Sequence, residues 1–127
     1  LAGAPTVFAT RPISVERTTP PRPHIVCLCG STRFGDLFAE ANLSETLAGH
    51  IVLSIGCNTK SDNELWSDPE ECARIKVMLD ELHLRKIDLC DEVVIVSGYI
   101  GDSTKREIAY AEALGKPVRY LRPLEAS

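Results

Sequence analysis

The sequence has no apolar run near the roughly 20 residues that a membrane-crossing helix needs, so none of its 127 residues is expected to span a bilayer as a helix. It also has no run of lysine and arginine, and its formal net charge is −4. A nucleic-acid partner is therefore not expected, because polyanion binding needs a clustered basic surface. A single well-placed arginine can still hold a small phosphorylated ligand. Cysteine is sparse and odd in number, five in all: Cys27, Cys29, Cys57, Cys72 and Cys90. The opening residues Leu1 to Ala9 are mildly apolar but have no basic n-region, so a secretory signal is not expected. That, with the odd count, speaks against a disulfide framework. No Cys-x2-Cys accompanied by His-x3-His occurs, and no metal site is expected. The cysteines read instead as small buried hydrophobes of a reducing, cytoplasmic compartment.

What is present fits one globular core: 44% apolar and 25% charged residues, close to the averages for folded domains. Residues 1–23 hold Pro5, Pro12, Pro20, Pro21 and Pro23 and read as an irregular arm, with a short extended piece at Thr6–Ala9. A single domain is expected over 24–127. It opens with His24–Cys29, a continuous apolar run suited to a strand covered on both faces. Cys27 and Cys29, two apart, should then face the same side of the sheet. Phe34–Ala48 carries Phe34, Leu37, Phe38, Ala41, Leu43 and Leu47 at helical spacing, closed by Gly49. Ile51–Ile55 is the second strand, followed by a polar loop from Gly56 to Ser67. Asp68, Pro69 and Glu71 combine two helix-start signals, and the helix should run to about Leu89 with Ile75, Met78, Leu79, Leu82 and Ile87 as its apolar stripe. Glu92–Ser97 is the third strand. Asp102 or Ser103 caps a helix through Leu114, Gly115 and Pro117 stop it, and Val118–Leu121 is the last strand.

Strands alternating with helices imply a parallel sheet with helices on both faces. The expected class is α/β, a flavodoxin-like or Rossmann-like three-layer sandwich with strand order 2-1-3-4. In such sheets ligands settle outside the carboxyl ends of the strands, at the switch point between strands 1 and 3.

Two loops at that edge carry suitable chemistry. In the first, Gly30 allows a tight turn, Ser31 and Thr32 place hydroxyls beside the amides of a helix start, and Arg33 adds a fork that matches phosphate or carboxylate. The same residues also fit a plain strand-to-helix turn with a surface arginine. In the second, Gly101, Asp102, Ser103 and Thr104 repeat the pattern after strand 3, and Glu107 lies about one turn further on. A carboxylate there can attack a sugar carbon or accept a proton, or simply complement the helix dipole. In the helix before strand 3, His83 is a candidate acid or base, although a lone helical histidine is more often structural. Asp91 follows that helix, as a ligand-binding residue or a cap of the helix–strand junction. In the loop after strand 2, Asn58, Asp62, Asn63 and Trp66 could shape a pocket for a heterocycle, with Trp66 equally suited to packing.

These residues resemble those of the nucleoside 2-deoxyribosyltransferase-like superfamily, over about His24 to Leu121. Cys-Gly-Ser-Thr-Arg at 29–33 resembles the first-strand loop Cys-Gly-Ser-x-Arg of its 2'-deoxynucleoside 5'-phosphate N-hydrolases, where Ser and Arg help bind the nucleotide. Ser103 to Ala111 is similar to the family's Gly-Thr-x-x-Glu-(Ile/Leu)-Gly-Tyr-Ala, whose Glu is the nucleophile. The helix leading into Asp91-Glu92-Val93-Val94 is similar to Asp-x3-Leu-x2-Ala-Asp-Val-Val-Val. Ser103 and Ala109 stand where the family usually has glycine, and His83 where it usually has an acid/base aspartate.

The resemblance implies hydrolysis of the N-glycosidic bond of a nucleoside 5'-monophosphate through a glycosyl intermediate on Glu107, with His83 as acid/base. Gly30, Ser31, Thr32, Arg33, Asp91, Gly101, Asp102, Ser103 and Thr104 would bind the substrate, and Asn58 and Trp66 the base. No metal or organic cofactor is implied, and family members are usually homodimers. The alternatives are deoxyribosyl transfer, which in this family uses unphosphorylated nucleosides, NAD glycohydrolysis, and nucleotide sensing without catalysis.

Overall fold

The structure, a computed structural model, describes residues 21–56 and 68–125. The expected arm up to residue 20, with its extended piece at Thr6–Ala9, lies outside them, as do Asn58, Asp62, Asn63 and Trp66. Strand β1 (Ile25–Cys29) leads to helix α1 (Gly35–Leu47), β2 (Ile51–Leu53), α2 (Pro69–Leu89), β3 (Glu92–Ile95), α3 (Asp102–Ala113) and β4 (Val118–Tyr120). The strands form one sheet in the order β2-β1-β3-β4. Every pairing is parallel, with Ile25 opposite Ile51, Val26 opposite Glu92 and Val93 opposite Val118.

The unbroken apolar run of β1 has the physical cause expected of it: Val26, Cys27, Leu28 and Cys29 are all wholly buried, because both faces of the central strand are covered. Side chains alternate across the sheet. Val26 and Leu28 pack with Phe38 and Ala41 of α1 and with Val94 and Val96. Cys27 and Cys29 point the other way, into Ile87, Val93, Ile95, Ile108 and Ala111. Helix α1 thus covers one face while α2 and α3 cover the other, giving three layers.

Helix boundaries follow local chemistry. The Asp68 side chain accepts from the Glu70 N–H at 3.1 Å, and Pro69 occupies the first helical position. At the far end of α2, Lys116 Nζ donates to the carbonyl oxygens of Ile87, Asp88 and Cys90 at 2.9, 2.7 and 2.7 Å, satisfying acceptors that a helix terminus leaves open. Two expectations are corrected. Neither Asp102 nor Ser103 caps α3: Gly101 holds the N-cap in extended conformation without a side-chain bond, and Asp102 is already in the first turn, where its charge complements the dipole. The apolar stripe of α2 is also not wholly inward. His83 and Ile87 are its buried residues, whereas Met78, Leu79 and Leu82 are 52%, 45% and 47% exposed. Among the described residues, no helix is long and apolar enough to cross a membrane.

Candidate active site

The chain leaves β1 through Gly30, whose φ of 154° is a conformation that L side chains rarely adopt. A Cβ at this position would stand 3.0 Å from Val96 Cγ2 and 3.1 Å from Ser97 Oγ. The loop therefore hugs the end of β3, and Phe34 N–H closes a turn onto the Ser31 carbonyl at 3.1 Å before α1 starts. Arg33 is exposed; its guanidinium lies 4.2 Å from the centroid of the Tyr99 ring and 5.1 Å from that of Phe34. Stacking of this kind holds the planar fork in place. Arg33 has no ion pair with any described carboxylate, so its donors face no competing protein anion among the described residues. In the second loop, Ser97 Oγ donates to the Tyr99 carbonyl at 2.8 Å, which folds the backbone toward the start of α3.

Between the two loops lies a cleft of about 470 Å³, within the usual range for small-molecule sites. Its wall is built from Gly30, Ser31, Thr32, Arg33, Tyr99, Gly101, Asp102, Ser103 and Thr104 at the sheet edge, and from Lys76, Leu79, Asp80, Leu82, His83 and Lys86 of α2. Glu107 of α3 also lines it. The cleft occupies the carboxyl ends of β1 and β3, where their separate crossovers part, as expected for a doubly wound sheet.

His83 and Glu107 are both buried, 6% and 9% exposed. His83 Nε2 is 4.0 Å from Glu107 Oε1, 3.3 Å from Cys29 Sγ and 3.7 Å from Cys27 Sγ. Burial pushes the Glu107 carboxyl above the usual range, and the charge of His83 only partly offsets it. Burial works against a charged His83, but hydrogen bonding and charge from Cys27, with the Glu107 charge, leave its pKa raised. The Cys27 thiol is drawn down to about 6, first by hydrogen bonding from Cys29, while Cys29 is pushed up by that same bond and by burial. The other three groups lie 3.3 to 4.0 Å from His83 Nε2, an arrangement that serves proton transfer, nucleophilic attack or ligation of a soft cation.

Of the residues singled out in the sequence, the structure brings together Gly30, Ser31, Thr32, Arg33, His83, Gly101, Asp102, Ser103, Thr104 and Glu107. It does not bring Asp91 to them. Asp91 sits at the opposite end of the sheet, where it accepts from the Ile25 N–H at 2.8 Å and pairs with Arg22 at 2.9 Å; its junction role is the one observed. Sequence reasoning missed Lys76 and Lys86, which share one face of α2 with His83 at helical spacing, and Tyr99, which follows the glycine after β3; it gave Asp80, on the same face, no role in the site. It also read Cys27 and Cys29 as hydrophobes. They are buried, and they meet His83 there as well.

The fold and the cleft define an α/β protein with a parallel sheet and an acid-bearing pocket at its switch point. Comparison of the chain with protein-family models, with curated proteins and with solved structures finds no match in any of the three. The functional reading therefore rests on the residues themselves.

Proposed function

We propose that the protein hydrolyses the N-glycosidic bond of a ribo- or deoxyribonucleoside 5'-monophosphate, as the resemblance to nucleoside 2-deoxyribosyltransferase-like enzymes implies. The observation that carries this reading is the buried His83–Glu107 pair, 4.0 Å apart, in a cleft whose rim presents Arg33 and two hydroxyl-bearing loops. Arg33, Ser31, Ser103 and Thr104 hold the 5'-phosphate. The Glu107 carboxylate attacks the anomeric carbon as the bond to the base breaks, passing through an oxocarbenium-like transition state. His83 gives its proton to the departing base. Neutral His83 then takes a proton from water, the water oxygen attacks the same carbon, and sugar 5-phosphate leaves as Glu107 is regenerated. Two displacements return the original anomeric configuration. The raised pKa of His83 keeps an acid available near neutrality for the first step.

The reading places the protein in nucleotide metabolism of the cytoplasm. It also includes a homodimer, as the resemblance implies.

The test is a chromatographic assay of the purified protein against all ribo- and deoxyribonucleoside 5'-monophosphates and NAD, beside Glu107→Ala. Release of one free base, lost in the variant, is the expected result. Nicotinamide release from NAD would make it an NAD glycohydrolase, and base exchange without hydrolysis a transferase. Binding of a nucleotide without turnover would make it a sensor.

A further inference from the structure

Beneath the His83–Glu107 pair lie two strand thiols that the proposed reaction does not use. Cys27 and Cys29 project from the same face of β1, and His83 reaches them from α2. The ligand atoms Cys27 Sγ, Cys29 Sγ and His83 Nε2 all lie within 4.8 Å of one another. Around a tetrahedral zinc ion, with Zn–S about 2.3 Å and Zn–N about 2.0–2.1 Å, the sulfur-to-nitrogen edge is about 3.5 Å. The two observed edges, 3.3 and 3.7 Å, straddle that length. The fourth corner has a candidate nearby: Glu107 Oε1 is 4.0 Å from the same nitrogen, lies outside the set of atoms within 4.8 Å of one another, and would reach the ion by turning its carboxylate, which faces no lysine or arginine ion pair among the described residues. All four residues are at least nine-tenths buried. The donors come from a rigid central strand and two helices packed on it, so the arrangement does not depend on a loop.

We propose that Cys27, Cys29 and His83 form a binding site for a thiophilic divalent cation of the zinc class, with Glu107 closing the fourth position. Two thiolates and an imidazole select such an ion over magnesium or calcium, which prefer all-oxygen shells. Binding forms two metal–sulfur bonds and one metal–nitrogen bond, and whatever protons the two thiols and His83 Nε2 carry leave to solvent. His83 ligates through its neutral Nε2. On the hydrolase reading proposed above, on which this one consequence rests, the metal and catalysis exclude each other. The ion takes the nitrogen lone pair and the carboxylate that the reaction uses, so zinc acts as a reversible inhibitor lodged under the substrate.

The experiment uses the full chain, reduced and freed of metal, titrated with Co(II) as a coloured stand-in for zinc. One equivalent should bring thiolate-to-cobalt charge-transfer absorption and the intense visible bands of a tetrahedral centre, and zinc should bleach both. The absorption should vanish in Cys27→Ser/Cys29→Ser and persist in Cys72→Ser. Its absence from the unaltered protein, or its survival in the double variant, overturns the site. Removing buried thiols can unfold the chain, so X-ray absorption of the zinc-loaded Cys57→Ser/Cys72→Ser protein, which keeps both strand thiols, supplies an independent measurement. Two sulfur and two nitrogen or oxygen neighbours are expected, and an all-nitrogen/oxygen or four-sulfur shell overturns the proposal. Base release should fall in proportion to bound zinc and return with a chelator; undiminished release from fully loaded protein overturns the exclusion. If metal-free protein releases no base from any nucleotide, the hydrolase reading fails, while the cobalt and X-ray spectra still decide the metal site.

Discussion

At the amino ends of the strands, Arg119 donates to Glu45 at 3.0 and 3.1 Å and to Glu92 at 3.0 and 3.2 Å, and His24 and His50 each add a contact to one of these carboxylates. At the carboxyl ends, the ion-pair partner of Glu107 among the described residues is His83, 4.0 Å away, with the Cys29 thiol as a hydrogen-bond neighbour. The consequences for the acids are opposite. Hydrogen bonding from Arg119 holds Glu45 and Glu92 below the ordinary glutamate range, while burial raises Glu107 above it. One end of the sheet stabilises its charges in the folded state. The other buries an acid, a base and two thiols against one another, with no lysine or arginine ion pair to the acid among the described residues, a setting in which pKa values are perturbed and side chains are reactive.

The largest effect that tests this contrast is on turnover. Glu107→Gln should abolish measurable turnover, since an amide cannot serve as the nucleophile, while leaving thermal stability unchanged or higher, because it removes a carboxyl whose burial disfavours its charge. Steady-state kinetics beside thermal unfolding reads both. A variant that stays active but unfolds more easily would show that Glu107 belongs to the structural class after all.

The converse substitution is Arg119→Met. It leaves the carboxylate of Glu45, a residue only 6% exposed, without its cation. Removing one partner of a buried pair is strongly destabilising, but the side chain of Arg119 is 39% exposed and water will screen part of the loss. The expected cost is about 2–3 kcal/mol by denaturant unfolding, with activity per folded molecule unchanged.

The sequence disclosed these two regions unequally. The central strand was legible because two-sided burial leaves no polar residue between His24 and Gly30. Gly30 ended the strand legibly, and strand order then located the cleft. The inward position of His83 was not legible. Met78, Leu79 and Leu82 form a periodic apolar stripe, and periodicity alone does not distinguish a helix face against a core from one against a cleft. The cluster of Cys29 and His83 joins residues 54 positions apart, so no local ligand spacing could reveal it. Asp91 was misplaced for a related reason. A residue beside a buried strand can serve either end of the sheet, and here the Ile25 N–H and Arg22 hold it at the amino end.

Arg33 sharpens the comparison from the cleft side. It is a cation stacked on aromatic rings rather than paired with an acid among the described residues, so its charge is available to a ligand. On the proposed reading, Arg33→Ala should raise KM for the nucleotide about tenfold, or about 1.4 kcal/mol, and change kcat little, since the phosphate contact is alike in ground and transition states. Arg33→Lys should recover only part of the loss, because lysine lacks the planar fork. A large fall in kcat with unchanged KM would move Arg33 from the phosphate to the chemistry.

The smallest effect is on acid stability, and its sign follows from the paired end. Glu45 and Glu92 have folded-state pKa values below their unfolded values. Their contribution is therefore complete above the unfolded glutamate value of about 4.3, and is lost as pH falls through the lower folded values. Across that acid window Tm should drop by on the order of a few degrees from this source. The groups facing these carboxylates are Arg119 from β4, with His24 and His50 from the segments preceding β1 and β2. Arg119 stays charged throughout the window, its pKa being raised further by the two glutamates, so carboxylate protonation alone breaks its pairs. In Arg119→Met most of this acid-linked loss should disappear, because the Arg119 hydrogen bonds, the largest cause depressing both acids, are gone while only the His24 and His50 contacts remain. If the variant and the parent lose Tm in parallel below a pH of about 4.3, the acid sensitivity lies elsewhere. The nearest other source at that end is Asp91, whose carboxyl is held well below its usual range, first by hydrogen bonding from Arg22 and then by the Ile25 N–H.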